Sequence, residues 1–339
     1  MQYRSLGRTG IRVSVLAFGA GPVPAVMTGQ ESGVQLAVVD SAVRAGINWF
    51  DTSATYGNGR SETSLGAALQ ELGVAEKVHV ATKVRLMPDQ LHDIGRHVRE
   101  SFAGSLARLR LERITLLQLH NSITDRRGDE PTSLTPDDVL GPGGVLEAFK
   151  QLQADGLVDY LGITGIGQSR PLSEVIGSGQ FDTMQTPFNI LNPSAGQTMP
   201  EEFTETDYGN ILSECDRQNM GTFAIRVFAG GALAGNPPSG HTLTTKFFPL
   251  DLYRRDQERT RRLCEKLPPD MDLKQAAVRF AASHPHITST IIGFGDPSHI
   301  DEAVSHMECG GLSHELYEEL IRTSLDLASD STTPSTAEN

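Results

Sequence analysis

The feature that most constrains the fold is an alternation of short apolar segments with amphipathic ones along most of the chain. The apolar segments have the length and composition of strands and lie at 15–18, 47–51, 78–83, 114–120, 160–164, 181–185, 222–226 and 289–293. Segments typical of helices lie between several of them, at 34–45, 61–72, 90–108 and 144–155. Strands that alternate with helices pair in parallel, so the pattern predicts one (β/α)8 TIM barrel. The length of 339 residues would otherwise have suggested two domains.

Three segments extend beyond a minimal barrel. Residues 3–14 predict an N-terminal β-hairpin with its turn at 7–10. Long βα loops at 121–143 and 229–250 follow strands and therefore belong to the C-terminal rim of the barrel. We assign residues 1–328 to a single domain and predict a disordered tail at 329–339, which is rich in Ser and Thr and poor in apolar residues.

Composition excludes several classes of protein. With 38% hydrophobic and 21% charged residues the chain is typical of a globular enzyme, and no apolar run is long enough to cross a membrane. The first residues lack the apolar core of a signal peptide, so we expect a cytoplasmic protein. A net charge of −13 argues against nucleic acid as a partner. The three widely spaced cysteines indicate neither a disulfide framework nor a zinc site.

Chemically useful side chains lie at the ends of three successive predicted strands. Asp51, Lys83 and His120 close these strands, and Tyr56 follows Asp51 in the loop before a helix. Because the carboxyl ends of the strands in a parallel α/β barrel form its functional rim, we expect all four residues at one catalytic site.

These four residue types suit the protonation of a carbonyl oxygen. A free tyrosine is protonated at neutral pH and is a weak acid. A neighbouring ammonium, here Lys83 held by Asp51, stabilises the phenolate, and His120 could donate a hydrogen bond to a substrate oxygen. Such a site needs a source of electrons, so a hydride cofactor is implied.

Several motifs occur in the order found in a known family: LGRTG at 6–10, GINWFDTS at 46–53, YGNGRSE at 56–62, ATK at 81–83, LQLH at 117–120 and IIG at 291–293. From about residue 3 to 305 the chain resembles the aldo-keto reductase superfamily, whose members are NAD(P)-dependent oxidoreductases on a (β/α)8 barrel. The resemblance implies that Tyr56 is the general acid in reduction and the base in oxidation. Lys83 and Asp51 would tune Tyr56, and His120 would orient and polarise the carbonyl.

The resemblance also implies residues for an NAD(P)(H) cofactor. Gln185 matches a position whose side chain holds the nicotinamide carboxamide. Thr164, followed by Gly165, stands where the family often has Ser-Asn for the same group, so a hydroxyl is kept and an amide is lost. Arg226 stands near the position of an aromatic residue that stacks on the nicotinamide, and a guanidinium could lie flat on that ring.

At the adenosine end, the resemblance points to residues that follow the eighth strand. Gly293 and Gly295 would form a phosphate-approach loop before a helix that starts near Pro297, with Asp296, His299 and Glu302 close to the adenosine. The run 293–303 contains no Lys or Arg, although family members that prefer NADPH usually have basic residues there. A 2′-phosphate would meet acidic residues, so we expect NAD(H) or dual use rather than strict NADP(H).

Some of these residues allow other interpretations. Lys83 could be a surface lysine or the Schiff-base lysine of an aldolase, but that chemistry leaves Tyr56 and Gln185 unexplained. His284 and His286 resemble a metal pair, yet they precede a strand and lack a compact ligand set, so we interpret them as structural and predict no metal site. The segment 162–167 does not fit GxGxxG, which argues against a Rossmann site.

The sequence therefore predicts an NAD(P)-dependent oxidoreductase that interconverts an aldehyde or ketone with an alcohol by direct hydride transfer. A first alternative is a sugar (aldose) 1-dehydrogenase working mainly in oxidation, because the polar 121–143 loop, the His120-Asn121 step and GITG at 162–165 resemble a branch that contains such enzymes. A second alternative is a nicotinamide-binding sensor or regulatory protein, as some barrels of the family are. The intact set of four catalytic residues argues against the second.

Overall fold

The structure, a computed structural model, describes residues 1–330. Its strands are β1 (Tyr3–Ser5), β2 (Arg12–Ser14), β3 (Leu16–Gly19), β4 (Trp49–Asp51), β5 (His79–Val84), β6 (Ile114–Leu119), β7 (Val158–Thr164), β8 (Thr183–Pro187), β9 (Gly221–Ile225) and β10 (Ser289–Ile292). Strands β3 to β10 pair in parallel and close into a barrel in the order β10-β3-β4-β5-β6-β7-β8-β9. The predicted (β/α)8 barrel is therefore confirmed, and each of its eight strands overlaps a predicted segment.

Helices connect the barrel strands on the outside. They are α1 (Ser32–Arg44), α2 (Arg60–Glu71), α3 (Ile94–Leu109), α4 (Pro136–Leu140), α5 (Val145–Ala154), α6 (Ser169–Gly177), α7 (Ile211–Arg217), α8 (Leu250–Cys264), α9 (Leu273–Ser283), α10 (Pro297–Glu308) and α11 (His314–Asp330). Their apolar faces and the outward side chains of the strands form one large buried core. None of the helices in residues 1–330 combines the length and the apolar character needed to span a membrane.

The predicted hairpin is present and closes the amino-terminal end of the barrel. Strands β1 and β2 pair antiparallel, and Leu6 and Val13 are fully buried. They join Trp49 and Phe223, which point into the barrel from β4 and β9, in a separate apolar cluster. With this end plugged by apolar side chains, the polar interior lies towards the opposite end.

The long loops lie on that opposite rim. Hydrogen bonds fix the 121–143 loop at both ends. Asn121 accepts from the backbone N–H of Leu86 and donates to its carbonyl, and Thr135 and Asp138 cap α4 reciprocally. The 229–250 loop contains a 3-10 turn, Ala229–Ala234. At the C-terminus α11 ends at Asp330, so residues 329 and 330 of the predicted tail close a helix, and the rest of that prediction lies outside the described residues.

Candidate active site

Lys83 and Asp51 form a buried ion pair at the carboxyl end of the barrel. Their side chains are almost fully buried, and Lys83 Nζ lies 2.5 Å from Asp51 Oδ1. The register explains the contact: Asp51 pairs with Ala81, and Lys83 follows two residues later on the same face of β5. Burial alone would lower the pKa of Lys83, but Asp51 and Tyr56 outweigh it and raise the pKa. Lys83 is therefore a fixed cation.

The loop between β4 and α2 carries Tyr56 to this cation. Tyr56 Oη lies 3.4 Å from Lys83 Nζ, and the same ammonium donates to the carbonyl of Thr52 at 2.8 Å. After Tyr56 the chain turns through three left-handed residues, Gly57, Asn58 and Gly59, with φ of 59°, 54° and 84°. Glycine and asparagine adopt this region most readily, which explains the YGNG sequence.

Two residues of α2 hold the Tyr56 loop in place. Ser61 Oγ donates to the carbonyl of Ala20 at 2.6 Å, and Glu62, which is fully buried, accepts from Thr82 and from Arg108 Nε at 2.6 Å. These contacts give Ser61 and Glu62 of the YGNGRSE motif a structural role.

His120 lies beside Tyr56 as a neutral ring. The two rings meet edge to face, with centroids 5.5 Å apart. Burial, followed by the charges of Arg85 and Lys83, holds the pKa of His120 well below its usual value. Ser53 Oγ lies 3.0 Å from Nδ1 and Thr55 Oγ1 lies 3.4 Å from it, and a hydroxyl that donates to Nδ1 requires the ring proton to be on Nε2. No residue in 1–330 accepts from Nε2, so this atom can donate to a ligand.

The predicted nicotinamide-binding residues lie around the same centre. Gln185 Nε2 donates to the second carboxylate oxygen of Asp51, and none of the described residues donates to the Gln185 carbonyl oxygen. The Thr164 hydroxyl donates to the carbonyl of Leu119 at 2.8 Å and accepts from Gln118 at 2.9 Å. Gln185 therefore offers an open acceptor, whereas Thr164 retains only one lone pair.

Two consecutive phenylalanines of the 229–250 loop each cover an arginine. Phe248 stacks on the Arg226 guanidinium, whose Cζ lies 3.8 Å from the centroid of the Phe248 ring. Phe247 stacks on Arg85 in the same way, with 4.3 Å between the Arg85 Cζ and the centroid of the Phe247 ring. The stacking partner of Arg226 in this structure is thus a side chain of the protein. Arg85 was not among the predicted site residues, although it stands two residues after Lys83, just beyond the end of β5, and such a spacing of two places side chains on the same face.

The residues predicted at the adenosine end lie next to one another, and several of them already contact other parts of the protein. A Cβ on Gly293 would come within 2.2 Å of the carbonyl of Val23, so close packing of two loops requires glycine there. Asp296 caps α10 by accepting from the backbone N–H of Ser298, and His299 Nδ1 accepts from the Gly295 backbone N–H at 3.3 Å. The remaining predicted residue of this end is Glu302.

Glu302 has a basic partner that the local sequence could not reveal. Lys274 of α9 lies 3.0 and 3.1 Å from its two carboxylate oxygens. The run 293–303 itself contains no Lys or Arg, and this lysine comes from another helix. The acidic character of this end is therefore partly neutralised.

A cavity of about 880 Å³ joins these groups. It extends from Tyr56, His120 and Gln185 to Gly293 and Glu302, and Phe247 and Phe248 line it on the side of the 229–250 loop. This volume is within the usual range of small-molecule and cofactor pockets. His284 lies elsewhere, donating to the carbonyl of Gly196 at 3.1 Å, and residues 1–330 contain no cluster of three or more potential metal ligands.

The chain is similar to one family model and to several known proteins. The family model described as "Aldo/keto reductase family" matches residues 16–322. The L-galactose dehydrogenase of Arabidopsis thaliana is 26% identical over 94% of this chain and 93% of that protein, and the D-threo-aldose 1-dehydrogenase of a Pseudomonas species is 27% identical over 86% and 89%. A probable voltage-gated potassium channel subunit beta of Oryza sativa is 26% identical over 91% of this chain and 92% of that protein.

Solved structures show the same fold. The holo form of an aldo-keto reductase from Bacillus halodurans superimposes with a TM-score of 0.72 at 21% identity, and the match covers 100% of both chains. The family model covers most of the chain, including all eight barrel strands. The match also includes Asp51, Tyr56, Lys83 and His120 at the carboxyl end of the barrel. The chain therefore belongs to the aldo/keto reductase family and is an oxidoreductase.

Proposed function

We propose that this oxidoreductase interconverts an aldehyde or ketone with the corresponding alcohol, with Tyr56 as the proton carrier. The observation that carries the proposal is the position of Lys83, whose ammonium lies between the Asp51 carboxylate and the Tyr56 hydroxyl. A fixed cation at this distance stabilises the phenolate that remains when Tyr56 gives up its proton. A buried lysine placed only for stability would not need a titratable hydroxyl on its open side.

His120 has a complementary role in this proposal. As a neutral ring with its proton on Nε2, it donates a hydrogen bond to the substrate oxygen without competing with Tyr56 as the acid. In reduction, the Tyr56 hydroxyl proton moves to the carbonyl oxygen as negative charge develops there. In oxidation, the tyrosinate accepts the proton of the alcohol.

The cavity fits the nicotinamide cofactor that the family uses. Gln185 offers its carbonyl oxygen to a carboxamide N–H beside Asp51, and Glu302 and Lys274 lie at the far end of the cavity, where adenosine would bind. A reduced nicotinamide supplies the hydride that the carbonyl carbon accepts. We retain NAD(H) or dual use as the proposed preference, because the run 293–303 contains no Lys or Arg and Lys274 of α9 is already paired with Glu302.

Aldose oxidation is the second candidate. Two relatives named above are sugar dehydrogenases. The polar rim loop 121–143 of this chain resembles the branch of the family that contains such enzymes. The hydrogen-bonded order of this loop places Pro131 and Thr132 on the cavity wall, where a polyhydroxylated substrate would lie. The channel-subunit relative suggests a purely regulatory role, but such a role would give no purpose to Tyr56 and the neighbouring Lys83 ammonium.

A substrate screen that follows nicotinamide absorbance, run in both directions with both cofactors, tests the proposal. We expect turnover of at least one aldehyde, ketone, alcohol or aldose. Oxidation of aldoses faster than reduction of any simple carbonyl would favour the second candidate. Tight cofactor binding without turnover in either direction would contradict both and favour a sensor.

A further inference from the structure

Arg85 is a cation at the cavity wall for which the protein supplies no anion. It follows β5 two residues after Lys83, and its Nη2 donates to the carbonyl of His120 at 3.2 Å. None of the ion pairs in residues 1–330 includes Arg85. Its Nε atom is buried and has no hydrogen-bond partner among the described residues. The protein therefore satisfies a single N–H of the guanidinium. The buried Nε–H is closed to solvent, so the unbonded N–H groups on Nη1 and Nη2 are the donors left for a ligand in the cavity.

The carboxylates on the cavity wall are already engaged. Among the described lining residues these are Asp51, which is paired with Lys83, and Glu302, which is paired with Lys274. The face of the Arg85 guanidinium is covered by Phe247, which removes water from one side. Burial lowers the pKa of Arg85 accordingly. An unpaired, partly desolvated charge is costly, and an anion in the cavity would offset that cost.

The position of Arg85 separates it from the proposed adenosine end. In the ring of strands that begins with β10, strands β5 and β6 come fourth and fifth, across the barrel from β10. Gly293 and Glu302 follow β10, whereas Arg85 follows β5 and touches the residue that follows β6. Arg85 is also close enough to His120 for its charge to lower the pKa of that ring. It therefore belongs to the side of the mouth where a substrate would meet Tyr56 and His120.

We propose that Arg85 binds a carboxylate of the substrate, so that the carbonyl compounds turned over by this enzyme are preferentially acids. This inference rests on the proposed function and narrows its substrate class. A planar guanidinium with an aromatic ring on one face and an open N–H edge suits a planar carboxylate, and such a charge-assisted pair also orients the rest of the molecule. Lys246 lines the same cavity and adds positive potential to it.

Matched aldehydes on one scaffold test the inference: 4-carboxybenzaldehyde, its neutral methyl ester and 4-formylphenyl phosphate. The wild type should show a kcat/KM for the carboxylate about 10- to 100-fold above that for the ester. In Arg85→Gln this ratio should fall to near one, and Arg85→Lys should restore part of it. For aldose oxidation, a uronic acid and its neutral aldose form the equivalent pair. Arg99→Gln, which removes an exposed cation of α3 outside the cavity, should leave the ratio unchanged.

Binding measured without turnover separates this inference from the proposed function. Calorimetry should show benzoate binding to the wild type more tightly than benzamide, and the difference should vanish in Arg85→Gln. If benzoate binding depends on Arg85 but no carbonyl is turned over, the Arg85 site stands and the proposed function fails. Turnover with equal preference for acid and ester would overturn the Arg85 site alone. A stronger preference for the phosphate, or weaker NADH binding in Arg85→Gln, would also overturn the carboxylate assignment.

Discussion

Lys83 Nζ lies 3.4 Å from Tyr56 Oη, and this contact links a buried ion pair to a hydroxyl at the cavity wall. Asp51 keeps the ammonium in place from the other side, at 2.5 Å. The pair therefore serves the stability of the barrel and the proposed chemistry together. The two contributions can be separated by experiment.

Removing one member of the pair should destabilise the protein strongly. Lys83→Met leaves the Asp51 carboxylate buried beside Gln185 with no cation, and we expect a loss of about 3–5 kcal/mol in the free energy of unfolding. Urea unfolding of the wild type and of Lys83→Met measures this change in the free energy of unfolding. Lys77→Met, at an exposed position, is the control and should change stability by less than about 0.5 kcal/mol.

The double variant Asp51→Asn with Lys83→Met should be less destabilised than the sum of the two single variants. Neither partner is then left charged and unpaired, so the coupling free energy should be about 1–3 kcal/mol. Additive losses would show that the ion pair contributes little in the folded state.

Ser53 should control the tautomer of His120. Its hydroxyl lies 3.0 Å from Nδ1, whereas that of Thr55 lies 3.4 Å away and is the only other hydroxyl of residues 1–330 bonded to this ring. Ser53→Ala should lower kcat about tenfold, and Ser53→Ala with Thr55→Val should lower it further. Full activity of the double variant would show that the protein does not fix the ring proton through these hydroxyls.

Glu302 should influence the choice of cofactor through Lys274. In Glu302→Gln the lysine loses its charged partner and becomes available to a 2′-phosphate. We expect NADPH affinity relative to NADH to rise about fivefold, as is typical of a partly exposed charge pair. Fluorescence titration measures both affinities, with Glu308→Gln on the exposed side of α10 as the control. Tenfold tighter NADPH binding by the wild type would contradict the proposed preference.

His284 should make the fold sensitive to acid. Burial lowers its pKa to about 4, and the ring already uses Nε2–H towards Gly196 and Nδ1 towards the His286 backbone N–H. Because the unfolded chain takes up this proton near pH 6.5 and the folded chain does not, stability falls as the pH drops from about 6.5 towards 4.

In His284→Gln the difference in unfolding free energy between pH 7 and pH 5 should shrink by about 2 kcal/mol. Urea unfolding at the two pH values tests this, with the exposed His314→Gln as the control. An unchanged difference would show that His284 does not account for the acid sensitivity.

The barrel and the central cluster could be predicted because both follow from regular backbone. Alternating apolar segments indicate parallel strands, and the carboxyl ends of such strands converge, so Asp51, Lys83 and His120 had to meet if the strand ends were correct. The contact between Lys83 and Asp51, and the neighbouring position of Tyr56, agree with that expectation.

The parts that were missed depend on loops and on residues distant in the sequence. Lys274 reaches Glu302 from another helix, and Phe248 stacks on the face of Arg226. No pattern in the neighbouring sequence predicts either contact. The role of Gly293 as a phosphate-approach glycine stays a prediction, and the structure gives this glycine a packing reason as well, because a Cβ there would collide with Val23 of a different loop. Such packing is a tertiary property, and a glycine alone does not show what approaches it.

The central claim is that Tyr56 transfers the proton, and Tyr56→Phe tests it most directly. The variant keeps the ring against His120 and removes only the hydroxyl next to Lys83. With Tyr3→Phe as a control far from the cavity, kcat should fall about 10²- to 10⁴-fold, while cofactor affinity stays within about twofold. Turnover at the wild-type rate, with the same cofactor bound, would contradict the account.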